Sequence, residues 1–210
     1  WSTLDHLEKP LKKYEDQVNR FKEIFYDACR IRMISDVETS TSLSGGLDSS
    51  SIVHVINSLK SESRDNTSIS YPHNTFILDY KNEKNNETDF AIAATENLSL
   101  IKNIIEVDLN KASPEDIIKI IYHQEDVSGD DGLGPWNIYK NIRKKNIKIS
   151  IDGHGGDELL AGYSGYPRIS MKDCKFPRDL YKWFDLFKIH LKMNEDVNKD
   201  ENILKIFLEF

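Results

Sequence analysis

Residues 44–50 read Ser-Gly-Gly-Leu-Asp-Ser-Ser, a set of residue types suited to an oxyanion. Gly45 and Gly46 let the backbone turn sharply without a Cβ in the way, so successive N–H groups and the start of a following helix can point at one anion. Ser44, Ser49 and Ser50 add hydroxyl donors. Asp48 would repel a phosphate unless a Mg²⁺ lay between them, so the loop suits a metal-bound pyrophosphate better than a bare phosphate. It is not a Walker loop, because the lysine that G-x-x-x-x-G-K-[ST] requires is missing. The competing reading is a Ser/Gly turn whose only task is to cap a helix with Ser49.

A second cluster lies at 147–163, IKISIDGHGGDELLAGY. It begins as an apolar strand and breaks into Gly153, Gly155 and Gly156, followed by Asp157 and Glu158. Glycines at a strand end are needed where something must come close. In an open parallel sheet, ligands collect outside the carboxyl ends of strands, so both loops are expected to face one site. Alternatively, Asp157 and Glu158 are ordinary first-turn acids of a helix.

Together, SGGLDSS and the later G-x-G-x-DE-x-x-x-GY resemble the synthetase domain of the glutamine-hydrolysing asparagine synthetases, ATP pyrophosphatases that cut ATP between its α- and β-phosphates. The stretch FKEIFYDACRIRMISDV and the segment IIYHQED extend the resemblance from about Phe21 to Tyr163. It implies an adenine nucleotide alpha hydrolase-like fold and a ligase that adenylates a carboxylate and then forms an amide, with ATP and Mg²⁺. It further implies that Ser44, Gly45, Gly46, Leu47, Asp48, Ser49 and Ser50 hold the pyrophosphate. Leu43, Leu78, Asp152 and Gly153 match positions that hold adenosine, and Asp48 and Asp157 would bind the metal. Other SGGxDS enzymes lack the second pattern in this form.

The chain departs from the family where asparagine synthetases usually carry Glu between the first two glycines of the second pattern: here stands His154. A histidine there could take a proton from the attacking amine, or it could face solvent. Glu125 matches the family and is either an acid/base or positioning group or a residue that orders its loop. GDDGLGPWN from Gly129 differs from the Ser/Thr-rich stretch that lines the aspartate site in true asparagine synthetases. The alternatives are therefore a related ligase making a lactam, a peptide macrocycle or another amide, and a non-catalytic nucleotide-binding module. The resemblance also implies a small-molecule or peptide carboxylate substrate and a glutaminase domain supplying ammonia, with that domain's leading cysteine and a later catalytic lysine outside these residues. The chain starts at Trp1 and not at methionine, which points to a piece of something longer.

At 210 residues and 39% hydrophobic content the chain can bury one sizeable core. A net charge of −7 with mixed signs leaves no basic stripe for nucleic acid or an anionic membrane. No apolar run reaches the length of a membrane span. Two cysteines without a C-x-x-C pattern, Cys29 and Cys174, suggest reduced thiols in a cytoplasmic protein.

The elements that must position these loops alternate. Tyr14, Val18, Phe21, Phe25 and Ala28 mark a helix expected to lean on a sheet and cover its core. Thr39–Leu43 reads as a strand, Ile52, Val53, Ile56 and Leu59 as the buried stripe of the next helix, and Thr75–Asp79 as a strand. The runs 61–70 and 81–87 read as polar loops. Thr88–Leu98 reads as a helix and Ile104–Asp108 as a strand. Ser113–Pro114 opens a helix bearing Ile117, Ile118, Ile120 and Ile121, and Pro135 opens another, before a strand at Ile147–Asp152. The pattern predicts an α/β fold, an open parallel sheet with helices on both faces. Residues 1–176 are expected to form the ATP-pyrophosphatase core. Residues 177–210 form a helical extension, either a cap or the start of a larger helical part.

Overall fold

A computed structural model describes residues 11–62, 73–81, 83, 86–108, 113–125 and 132–194. Of the predicted loop 61–70, residues 61 and 62 close the helix Leu47–Glu62; 63–70, part of the loop at 81–87, residues 129–131 of the GDDG stretch and the tail 195–210 lie outside the described residues. The chain divides into two compact units, Trp1–Gly153 and His154–Phe210.

The first unit is built on a four-stranded sheet of order β3-β2-β1-β4, with all pairs parallel. Its strands are β1 (Thr39–Ser42), β2 (His73–Tyr80), β3 (Leu100–Val107) and β4 (Ile149–Ser150). The helices of this unit are α1 (Tyr14–Arg32), α2 (Leu47–Glu62), α3 (Thr88–Ala94), α4 (Pro114–Gln124) and α5 (Leu133–Lys144). From β1 the chain steps through β2 to β3, then returns to lay β4 on the other side of β1. The strand order therefore reverses between β1 and β4, and the carboxyl ends of these two neighbours lead into the two glycine loops.

Consecutive strand residues face opposite sides, and Phe76 and Ile77 of β2 demonstrate that both faces are covered. Ile77 packs with Leu43, Val53 of α2 and Ala91 of α3. Phe76 packs with Ile142 of α5 and with Ile147. This is the predicted open α/β sheet with helices on both faces. Val53, Ile56 and Leu59 are buried on α2 as their spacing requires.

The central strand β1 is made entirely of hydroxyl residues, Thr-Ser-Thr-Ser, and three of the four are buried. A buried hydroxyl without a partner is costly, and each of these has one. Thr39 Oγ1 meets Met33 Sδ at 3.8 Å, Ser40 Oγ donates to the Ile149 carbonyl at 3.1 Å, and Thr41 Oγ1 lies 3.1 Å from Thr75 Oγ1.

Several elements differ from expectation. The apolar face of α1 does not lean on the sheet over its length: Tyr14 is 77% exposed, and Val18 and Phe21 are exposed too. Only its carboxyl-terminal part packs, placing Cys29 and Met33 with Ile56 and Leu59 of α2. Helix α3 is shorter than its alanines suggested and β3 is longer than the apolar run alone. On α4 only Ile120 is buried, while Ile117 and Ile118 are exposed. β4 is two residues long, shorter than the predicted Ile147–Asp152, and Ile147 ahead of it is 1% exposed beside Phe76.

The second unit contains α6 (Gly156–Leu160), α7 (Tyr166–Lys172) and α8 (Leu180–Asn194). Met171 is buried in α7, and Trp183 and Phe187 of α8 stack at 5.3 Å. Residues 180–194 are thus helical, as expected of the extension. Cys29 and Cys174 are free, and burial pushes the Cys29 thiol up against the influence of Arg32. Among the described residues no helix is long and apolar enough to cross a membrane.

Candidate functional site

Leu43, 2% exposed, plants the first loop in the core, and its N–H donates to the Phe76 carbonyl at 2.9 Å. The loop is then tied from within. Ser44 N–H donates to Ser49 Oγ at 3.2 Å, the two hydroxyl oxygens are 3.0 Å apart, and Gly46 N–H donates to Ser44 Oγ at 3.2 Å. Ser49 is buried, so its hydroxyl is a cross-tie of the loop as well as a possible donor. Gly45 adopts φ 91°, which side chains resist, and a Cβ there would lie 2.6 Å from the Ala91 nitrogen. The close approach that needs this glycine is that of α3.

The loop runs straight into α2. The first N–H groups of a helix have no intrahelical acceptor and carry its partial positive charge, so Leu47, Asp48 and Ser49 present the donors an anion requires. Leu47 is 77% exposed, and Asp48 is half-buried in the first turn. The Ser50 hydroxyl is buried and has no hydrogen-bond partner among the described residues. An orphaned donor and a glycine-shaped turn at a helix start fit a phosphate chain.

Asp152, just past the end of β4, faces Ser42 at the end of β1. Its Oδ1 accepts from Ser42 N–H at 3.0 Å, Ser42 Oγ at 2.5 Å and Ser150 Oγ at 2.6 Å, and its Oδ2 accepts from the Tyr139 hydroxyl at 3.0 Å. Burial alone would raise this carboxyl. The donors from Ser150, Ser42 and Tyr139 outweigh it and hold the group below the usual carboxylate range. Tyr139 is pushed up to about 12, by burial first and then by the charge of Asp152. Gly153 follows directly, and a Cβ on it would stand 3.1 Å from the Ser49 nitrogen. The structure thus brings residues 43–50 and 152–153 together at the carboxyl ends of β1 and β4. Leu78 lies on the adjoining β2, and its carbonyl accepts from Thr88 Oγ1 at 3.0 Å at the start of α3.

Glu125 stands exposed at the end of α4 in the left-handed conformation, φ 54°. In the second unit His154 is exposed, and Asp157 and Glu158 are the first-turn acids of α6. Tyr163 OH donates to Glu158 Oε1 at 2.8 Å, a bond that lowers the Glu158 carboxyl. A Cβ on Gly162 would collide with the Asp157 carboxylate, so the Gly-Tyr pair leaves room for one acid and holds the other. Among the described residues no group of three or more His, Cys, Asp or Glu is placed to hold a metal ion.

Sequence reasoning missed Ser42, Ser150 and Tyr139, the partners of Asp152. Ser42 and Ser150 are half-buried hydroxyl residues at the ends of β1 and β4, a position that favours a partner. Nothing local singles out Tyr139.

These features define an open α/β domain with the Ser44–Ser50 loop after β1 and Gly153 after β4 at its topological switch point, the place where such sheets take their ligands. The chain belongs to the asparagine synthase family, whose profile matches residues 20–202. It is 30% identical over 159 residues to the glutamine-hydrolyzing asparagine synthetase 1 of Bacillus subtilis, covering 75% of this chain and 23% of the relative. It is 27% identical to a putative glutamine-hydrolyzing asparagine synthetase 2 of Methanocaldococcus jannaschii, covering 97% of this chain and 37% of the relative. It is 25% identical to the amidase chyE of Penicillium rubens, covering 77% and 25%. The chain thus spans well under half the length of these relatives.

Proposed function

We propose that this chain is the ATP-using core of a ligase that activates a carboxylate and converts it to an amide. The observation that carries this reading is the Ser44–Ser50 loop, its glycine-dependent turn set at the switch point beside Gly153, in a chain of the asparagine synthase family. Ser44, Gly45, Gly46, Leu47, Asp48, Ser49 and Ser50 would embrace the pyrophosphate of ATP, with Leu43, Leu78, Asp152 and Gly153 flanking adenosine. Mg²⁺ would arrive with ATP and be held by Asp48 and Asp157, offsetting phosphate charge. Few protein ligands suffice for such an ion, because Mg²⁺ commonly takes most of its oxygens from phosphates and water.

A carboxylate oxygen attacks the α-phosphorus, and the bond from that phosphorus to the bridging oxygen breaks, releasing pyrophosphate. The first-turn N–H groups of α2 stabilise the charge that gathers on the departing group. An amine then attacks the acyl carbon, the bond to AMP breaks, and the amine proton passes to a base, for which His154 and Glu125 are the candidates. In the longer protein a glutaminase domain would supply ammonia. His154, standing where asparagine synthetases usually carry Glu, favours a second reading in which the carboxylate or the amine is different, as in formation of a lactam or a peptide macrocycle.

Phosphorus NMR of the full-length protein with MgATP, a carboxylate panel and ammonia or an amine tests the proposal. AMP and pyrophosphate are expected. ADP and inorganic phosphate as primary products would overturn it.

A further inference from the structure

We infer that Asp152 is a positioning residue whose carboxylate replaces a missing backbone acceptor for Ser42, splaying β4 from β1 to form the crevice between the two loops. The backbone ladder between these strands ends at the pair Ser40↔Ser150, followed by one further bond, Ile151 N–H to the Ser40 carbonyl at 2.8 Å. In a parallel ladder of this register the next bond would run from Ser42 N–H to the Ile151 carbonyl. The Asp152 side chain takes that donor instead, at 3.0 Å. A side chain reaches farther than a main-chain carbonyl, so the strands part without leaving a half-buried N–H unpaired.

Three further donors fix the carboxylate in that post. Ser42 Oγ and Ser150 Oγ bind Oδ1 from the two strands that part, and Tyr139 on α5 binds Oδ2. Three donors on Oδ1 leave it no evident capacity for a ligand. Immediately after Asp152, Gly153 rests against the first turn of α2, so fixing Asp152 also sets the distance between that glycine and the Asp48–Ser49 backbone. The carboxylate acts on a nucleotide through this spacing. The inference deepens the reading of the site as one for ATP, and rests on it for the identity of the ligand.

The test is amide hydrogen exchange of Ser42 together with calorimetric titration of MgATP, in wild type, Asp152→Ala and Asp152→Asn. Asp152→Ala removes the acceptor, and Ser42 exchange should rise at least ~10-fold. Its MgATP affinity should fall ~10-fold or more. Asp152→Asn keeps an oxygen for Ser42 N–H, and should hold exchange within about threefold of wild type and recover most of the affinity. Should Asp152→Ala not fold, Ser150→Ala combined with Tyr139→Phe frees the carboxylate from two of its donors, and both readouts should move in the same direction. Unaltered Ser42 exchange in the variants overturns the inference. So does Asp152→Asn binding as weakly as Asp152→Ala with Ser42 still protected, since the charge would then be touching the nucleotide. A wild-type protein that leaves MgATP unbound while Ser42 exchange follows Asp152 supports the splay and overturns the nucleotide reading.

Discussion

Gly153 and Ser49, 104 positions apart in sequence, are in such close apposition that a single methyl group on Gly153 would stand 3.1 Å from the Ser49 backbone nitrogen and 3.3 Å from Asp48 Cβ. The segment after β4 and the first turn of α2 therefore share one surface.

Asp48→Ala is expected to weaken MgATP binding at least about tenfold, or roughly 1.4 kcal/mol, with the loss confined to the Mg²⁺-loaded nucleotide. Calorimetric titration with and without Mg²⁺ checks it. Equal MgATP affinity in both proteins removes Asp48 from the metal's coordination.

Ser50→Ala separates stability from binding. Its buried hydroxyl has no partner among the described residues, so removing it relieves an unmet donor and should leave the free protein as stable as wild type or more so, by up to about 1 kcal/mol. MgATP affinity should fall. Urea unfolding and calorimetry on the same preparation decide the matter, and a variant that is destabilised yet binds normally contradicts it.

Gly45→Ala should cost about 2 kcal/mol or more of unfolding free energy, because φ 91° strains any side chain and the added carbon meets the Ala91 nitrogen. A urea midpoint unchanged from wild type would show that the turn can relax.

His73 governs an acid-side loss of stability. It is 1% exposed at the start of β2, and burial, with Lys60 adding to it, lowers its pKa to about 3. The unfolded chain binds a proton near the ordinary value of about 6.5 while the folded chain refuses it. Stability is thus fully present above about pH 6.5 and falls as pH drops toward 3, by up to about 1.4 kcal/mol per pH unit. Lys60, lowered to about 8, titrates above this window. His73→Leu should flatten the profile of unfolding free energy between pH 7 and pH 5. An identical slope in the variant would assign the loss to other groups.

The buried stripe of α2 was legible because Val53, Ile56 and Leu59 recur at the helical period and their helix is sandwiched. The same period on α1 said only that the helix has an apolar face, and Tyr14 and Val18 turned out uncovered. Periodicity reports a face, and what lies against that face is a tertiary fact. β1 could be placed by the loop that follows it, but its burial could not be read from Thr-Ser-Thr-Ser, since Ser40 and Thr41 find their partners on Ile149 and Thr75. The glycine-broken ends of β1 and β4 that frame the candidate site were legible from glycine spacing. The splay at Asp152 was not, because it depends on which of two oxygens, a carbonyl or a carboxylate, captures one N–H.

The strands of this sheet are unequally secured. β2 and β3 are paired over eight residues, whereas β4 is joined to β1 over two. Local opening follows the weakest pairing, so β4 can detach at a free energy well below that of global unfolding while β1, β2 and β3 persist. The approach of Gly153 to α2 is lost in that partly open form, so it is held less firmly than the β2–β3 side of the sheet. A ligand bridging Gly153 and α2 stabilises the closed form in proportion to its concentration over its Kd, and its first detectable effect is slower exchange at Ile151 and Ser42 rather than a higher melting temperature.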